Sequence, residues 1–318
     1  MFLALEEVVG SLYQIKLLNT ENGEYATILP DFGGNVNQLV LAKADKKLLS
    51  VVEGYVTTEA AQENAGYRSS KLIPFPNRLF DGKYEFEKKT YQCDISRPQE
   101  GHAIHGLWHS RKMHVIKLKS TDKKATLHLL YNYKGSDAGY PFKCSILYKY
   151  RLSDKGFRCT TEVLNEGKTP IPFGDGWHPY FKLDSETIDT LSLTVPPVRF
   201  LPVNTRKVPT GEAVSFLDFF QGAPLANVDL DHGFKLLQPN GKAITTLHNP
   251  ATATILDIWQ EAGLGQYDFL QIYTPNDRKT IAIEPMTCAA DAFNNGLGTI
   301  IIAPKGFWKG KYGVCMRV

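Results

Sequence analysis

The chain has 318 residues, 43% of them hydrophobic and 22% charged, with a formal net charge of +3. That balance suits a globular protein with a sizeable core, and so small a positive excess, without a dense Lys/Arg block, argues against a nucleic-acid surface. No apolar run approaches the roughly 18 residues of a membrane span, and five cysteines without a CxxC spacing argue against a disulfide framework or zinc cluster and for a reducing compartment.

The opening "MFLALEEVVG" lacks a basic leader region and a long apolar stretch, so no signal peptide is expected and the expected location is cytoplasmic. "TTEAAQENAG" predicts a short helix capped by Thr57 or Thr58 and stopped at Gly66. From there on, period two dominates. "YEFEKKTYQCDI" alternates, and so does "ATLHLLYNY", which puts Ala125, Leu127, Leu129, Tyr131 and Tyr133 on one face. In "FKCSILYKYRL", Phe142, Cys144, Ile146, Tyr148, Tyr150 and Leu152 oppose Lys143, Ser145, Lys149 and Arg151, the pattern of a half-buried strand. "SDKG" then turns the chain into "FRCTTEVLN" as a hairpin partner. "LSLTV" reads as a buried strand and "EAVSFLDFFQG" as another helical turn or two. "FLQIY", "TIAIE" and "TIIIAP" read as further buried strands, and "YGVCMRV" alternates to the end. Without a strand-helix rhythm, GxGxxG or Walker A motif, internal repeat or linker, the expectation is all-β: one domain over residues 1–318, a large antiparallel sandwich with few short helices.

Several polar residues stand out in this apolar pattern. His102, His105 and His109 cluster in "GHAIHGLWH", but Gly101 and Gly106 argue against the helix that would present them together to a metal. In "PFPNRLFDGKY", Asn77 and Arg78 follow two prolines and precede an Asp-Gly turn; a guanidinium on a stiff loop is suited to forked hydrogen bonds. "GDGWHPYF" sets His178 among Trp177, Tyr180 and Phe181. Asp231 precedes a His-Gly pair. Glu284 ends the apolar strand "TIAIE", where a carboxylate needs a partner or a task, and Pro285 is expected to stop normal strand continuation.

Taken in order, these motifs resemble the aldose 1-epimerase (galactose mutarotase) family: Asn77-Arg78 before Gly82, His105 in "AIHG", His178, Tyr180 and Phe181 in "HPYF", Asp231 in "LDHGF", and Glu284 in "IEPMTCAADAFNNG". The chain departs from the family at Leu107-Trp108, where a second glycine is frequent, and at Pro285-Met286-Thr287; both variants look like a bacterial aldose-1-epimerase-related branch. The resemblance implies a galactose mutarotase-like supersandwich and interconversion of the α- and β-anomers of an aldohexose. It implies Glu284 as general base at the anomeric hydroxyl and His178 as general acid at the ring oxygen, on opposite sides of the sugar, with a nearby carboxylate favouring charged His178. Arg78, His105, Asp231 and Asn77 would hold the sugar, and Trp177, Tyr180 or Trp259 would stack on its C–H face.

No cofactor or metal is expected, because no electrons move and no group is carried away. The expected partner is a small-molecule monosaccharide, with no nucleic acid and no membrane, and the expected assembly is a monomer or weak homodimer. One alternative is a hexose-6-phosphate 1-epimerase using Arg68, Lys71, Arg78, Arg111 and Lys112. Another is a non-catalytic carbohydrate-binding or sensing protein. A glycoside hydrolase would want two carboxylates flanking the bond, where only Glu284 has a convincing setting.

Overall fold

The computed structural model describes residues 1–238 and 240–317. Two large antiparallel sheets face one another. The first begins as an N-terminal meander, Phe2–Val9, Leu12–Asn19, Tyr25–Leu29, Asn35–Ala42 and Leu48–Glu53. It continues through the two-residue strand Tyr180–Phe181 into Ile281–Met286, Phe269–Tyr273, Asp231–Leu236, Val198–Leu201 and Val214–Phe216. The second runs from His114–Ser120 through Lys124–Tyr133, Cys144–Ser153, Gly156–Asn165, Phe307–Arg317, Thr254–Gly263 and Asn240–Asn249 to Ser192–Thr194 and Ala223–Pro224. The architecture is the expected all-β sandwich.

The alternation in the sequence sets which faces meet. Leu127, Leu129, Ile146, Tyr148, Tyr150 and Leu152 from the second sheet join Ile15, Leu17, Ile272, Ile281 and Ile283 from the first in one buried core. The hairpin through "SDKG" forms as expected, with Ser153 opposite Gly156. The expected helix is Thr58–Glu63, where the Thr57 side chain accepts from the Ala60 amide at 3.2 Å; Asn64 in the left-handed region ends it before Gly66 does.

Three local expectations change. "EAVSFLDFFQG" forms the strand Val214–Phe216 followed by turns, because a pairing edge is available beside Val198–Leu201. "TIIIAP" is only partly buried: Ile301 is 54% exposed, as its strand Ile300–Ile302 pairs, among the described residues, only with Ile171–Phe173. Pro285 does not stop its strand, which runs on to Met286. The Pro285 carbonyl accepts from the Trp177 amide at 3.1 Å, so the edge of Pro285 that lacks an N–H faces that segment and not the ladder with Phe269–Tyr273.

The seam of the first sheet positions the site. Phe181 pairs with both Val52 and Ile281, joining the N-terminal meander to the strands of the last third of the chain. On the side of this seam away from the core, loops carrying residues 66–78 and 97–105 close over Tyr180, Glu284 and Gln271.

Candidate active site

His178 arrives on the extended segment that starts at Gly174. Trp177 turns into the core, where it is fully buried, stacks on Tyr312 at 5.0 Å and donates its indole N–H to the Ser69 carbonyl at 3.1 Å. It is therefore core, and no platform for a sugar. The next residue points the other way. His178 donates its amide to the Ser70 carbonyl (3.1 Å) and accepts from the Ser69 amide (2.8 Å), which holds the imidazole over the cleft. The glycines before it admit the neighbouring prolines: a Cβ on Gly176 would lie 3.0 Å from Pro76 and one on Gly174 2.6 Å from Cys288 Sγ.

Glu284 rises from the central strand Ile281–Met286 on the face opposite Ile281 and Ile283. Its Oε1 stands 3.4 Å from His178 Nε2, and its Oε2 is buried without a hydrogen-bond partner. Burial pushes the Glu284 carboxyl well above its ordinary pKa, reinforced by Asp231 and opposed by Arg78. Burial likewise pushes His178 down to about 4, a shift its own backbone carbonyl and Asp231 only partly offset. The expected cationic imidazole is corrected accordingly: desolvation outweighs nearby negative charge, and both groups favour their neutral forms. The two also stand side by side, not on opposite sides of a cavity.

A polar chain extends from this pair along the same wall. His105 has a φ of 62° and is followed by Gly106, where a Cβ would meet the Ile73 carbonyl at 2.1 Å, so only glycine fits. The Asn77 amide donates to His105 Nδ1 at 3.3 Å, which leaves Nε2 of the neutral ring as the donor. Burial, with the neighbouring His178, holds His105 well below its ordinary pKa. Asn77 Nδ2 donates to Gln271 Oε1 at 3.3 Å, and Gln271 Nε2 donates to Asp231 Oδ1 at 3.0 Å. Asp231 Oδ2 meets Lys207 Nζ at 3.0 Å at the cleft's outer rim. Arg78 is gripped by Glu100, Nε to Oε2 at 2.7 Å, and its carbonyl accepts from the Asp291 amide, tying the Asn-Arg strand to the loop beyond Glu284.

The fold thus brings His178, Glu284, Asn77, Arg78, His105, Asp231 and Tyr180 to one cleft of about 160 Å³. Tyr180 stacks on His178 at 4.9 Å with its hydroxyl bound to the Gly66 carbonyl, so it braces the imidazole. Trp259 lies on the second sheet under Lys242, away from the cleft. Of the five cations considered for phosphate, only Arg78 lines it. Lys71 is buried against Asp175 at 2.7 Å, while Arg111 and Lys112 pair with Asp137 and Asp31, so that set is not assembled. His102 and His109 also lie outside it: His102 Nε2 meets the Arg206 carbonyl and His109 Nδ1 meets Asn64 Nδ2, each at 3.0 Å. Among the described residues no group of three or more His, Cys, Asp or Glu side chains is placed to hold a metal.

Several cleft residues were missed from sequence, among them Arg97, Glu100, Lys207 and Tyr273 and, closest to the polar chain, Gln271 and Tyr67. Gln271 was visible only as a lone polar residue in "FLQIY"; its significance lies in register, directly opposite Glu284. Tyr67, at φ 53°, packs against His105 at 4.7 Å and leaves the helix end in a turn no periodicity marks.

Residues 16–315 match the family described as aldose 1-epimerase. The chain is 29% identical over 237 residues, 73% of each chain, to the uncharacterized protein YihR of Escherichia coli K12. It is 23% identical over 202 residues to the aldose 1-epimerase of the same organism, spanning 63% of this chain and 57% of that one. Among solved structures, a galactose mutarotase-like protein from Clostridium acetobutylicum superposes with a TM-score of 0.88 at 23% identity, covering 99% of this chain and 98% of that one. Galactose 1-epimerase from Lactobacillus acidophilus gives 0.78 at 16% identity, covering 100% and 98%. These likenesses show the shared fold.

Proposed function

The chain belongs to the aldose 1-epimerase family, and from that premise we propose that it interconverts the α- and β-anomers of an aldohexose, with Glu284 and His178 passing protons to and from the hemiacetal. The contact between Glu284 Oε1 and His178 Nε2 at the floor of the cleft carries this reading.

The anomeric oxygen and the ring oxygen are bonded to the same carbon, so a carboxyl and an imidazole side by side reach both. The neutral pair holds one proton. With sugar bound, that proton moves from Glu284 to His178. The Glu284 carboxylate then takes the anomeric hydroxyl proton while His178 protonates the ring oxygen and the C1–O5 bond breaks. The open aldehyde leaves Glu284 protonated and His178 neutral. After rotation about C1–C2, the aldehyde presents its other face. His178 takes the proton from the C5 hydroxyl, C1–O5 reforms, and Glu284 protonates the carbonyl oxygen. Each step conserves the pair's single proton, and each positioned group contributes about 10²–10⁴-fold in rate.

His105 Nε2, Arg78, Gln271 and Asp231 hold the hydroxyls so that the open chain does not tumble, and Tyr67 offers the sugar's C–H face a ring. Polarimetry of freshly dissolved α-D-glucose and α-D-galactose tests the proposal. A protein that binds either sugar without hastening the drift in rotation is a sugar-binding protein instead.

A further inference from the structure

A second cavity adjoins the polar site. Its volume is about 320 Å³, and it borders the cleft along Asn77, Arg78, Lys207, Asp231 and Gln271, which line both. Their chemistry differs. The second lobe is walled by Leu201, Val203, Phe234, Phe269, Met286 and Ala290.

The register of the sheet explains the change. Glu284 pairs with Gln271, and Gln271 with Gly233; two residues along the same face, Met286 pairs with Phe269. The floor therefore passes from carboxyl and amide to thioether and phenyl within one pleat repeat. Gly233 contributes no side chain at the boundary, where a Cβ would stand 3.2 Å from Gln271 Oε1. Leu201, Phe269, Met286 and Ala289 form an apolar cluster separate from the main core. Sugar hydroxyls and water find few partners there, so the space favours an apolar group.

Resting on the epimerase reading, we propose that the second lobe is a substituent subsite: the preferred substrate is an aldose bearing an apolar group on a carbon other than the anomeric one. The anomeric hydroxyl must stay free for ring opening, and the lobe adjoins Asp231, Arg78 and Gln271 but not His178. The occupant is the sugar's own substituent because the lobe borders the site that seats the ring along five shared residues.

The test uses glucose and galactose carrying a methyl, ethyl or propyl ether at each non-anomeric hydroxyl in turn, with anomer exchange followed by NMR. At one position kcat/KM is expected to rise with chain length, by about fourfold per fully buried methylene. Ala290→Phe, which fills the lobe, should abolish that dependence; Val203→Asp, on its exposed wall, should reverse it and serves if the first variant does not fold. Ethers that are neutral or inhibitory at every position overturn the proposal, as does chain-length dependence that survives in a folded Ala290→Phe protein. If no sugar exchanges faster than in buffer, the epimerase reading has failed on its own. Calorimetric titration with the same ethers then still reads the lobe: affinity rising with chain length upholds it, and flat affinity removes it.

Discussion

His178 Nε2 and Glu284 Oε1 meet at 3.4 Å although 106 positions separate them in the sequence. Each is held by a different device. His178 is the outward residue after an inward Trp177, on a segment hydrogen-bonded to Ser69 and Ser70. Glu284 is one rung of a central strand.

If the two side chains pass one proton as proposed, removing either removes the cycle. Glu284→Gln and His178→Asn should each lower anomer exchange by roughly 10²–10⁴-fold, and the double variant should be little worse than the poorer single. NMR exchange rates together with thermal melts decide this. Wild-type turnover in a folded Glu284→Gln protein removes that residue from the mechanism.

The pH profile of kcat/KM should be bell-shaped. As pH falls through about 4, His178 acquires a proton while Glu284 keeps its own, and the pair has no base. On the alkaline side, activity should fall only above the raised pKa of Glu284, well above the usual carboxylate range. An acid limb at the ordinary histidine pKa would contradict this assignment.

Stability should follow a half-buried histidine that lies outside the cleft. Burial pushes His109 down to about 4. Above its ordinary pKa of about 6.5 both folded and unfolded forms are neutral. As pH falls below that, the unfolded chain gains a proton the folded chain refuses, and up to about 3 kcal/mol is lost by pH 4. His109→Asn should flatten the decline in unfolding free energy across this window; an unchanged slope would show that His109 does not resist protonation.

The hydrogen-bond chain from His105 to Asp231 should act on binding. Asp231→Ala and Arg78→Ala are expected to raise KM about 10–100-fold with a smaller effect on kcat. Gln271→Ala should raise it about tenfold, because Asn77 and Asp231 both lose a partner. Steady-state kinetics at saturating and limiting sugar separate the two parameters.

Behind Trp177, Lys71 and Asp175 form an ion pair 1% and 0% exposed, with Tyr267 and Tyr312 as further partners. Lys71→Met strands a buried carboxylate and should cost about 3–5 kcal/mol in a urea titration. Adding Asp175→Asn should recover much of that loss; if it recovers none, packing around the lysine stem and not its charge is at stake.

Local pattern made much of the molecule legible. Alternation from Ala125 to Asn165 reports which side of each strand is dry, because successive side chains point to opposite faces wherever one face is buried. The same rule placed Glu284 opposite Ile281 and Ile283. It failed at "EAVSFLDFFQG", where a free sheet edge beside Val198–Leu201 overrode local preference. It also misjudged Pro285, whose missing N–H harms a strand only when it faces the ladder.

From the amino-acid order came the all-β class and the strand faces, and from the family resemblance of its ordered motifs came seven residues that share the cleft: Asn77, Arg78, His105, His178, Tyr180, Asp231 and Glu284. Tertiary structure decided their relations. It put Trp177 in the core, set His178 and Glu284 side by side, placed Gln271 opposite Glu284 and opened an apolar lobe beside Asp231. It also decided their protonation, since a pKa follows from the water and charge that remain around a group once distant segments have closed over it.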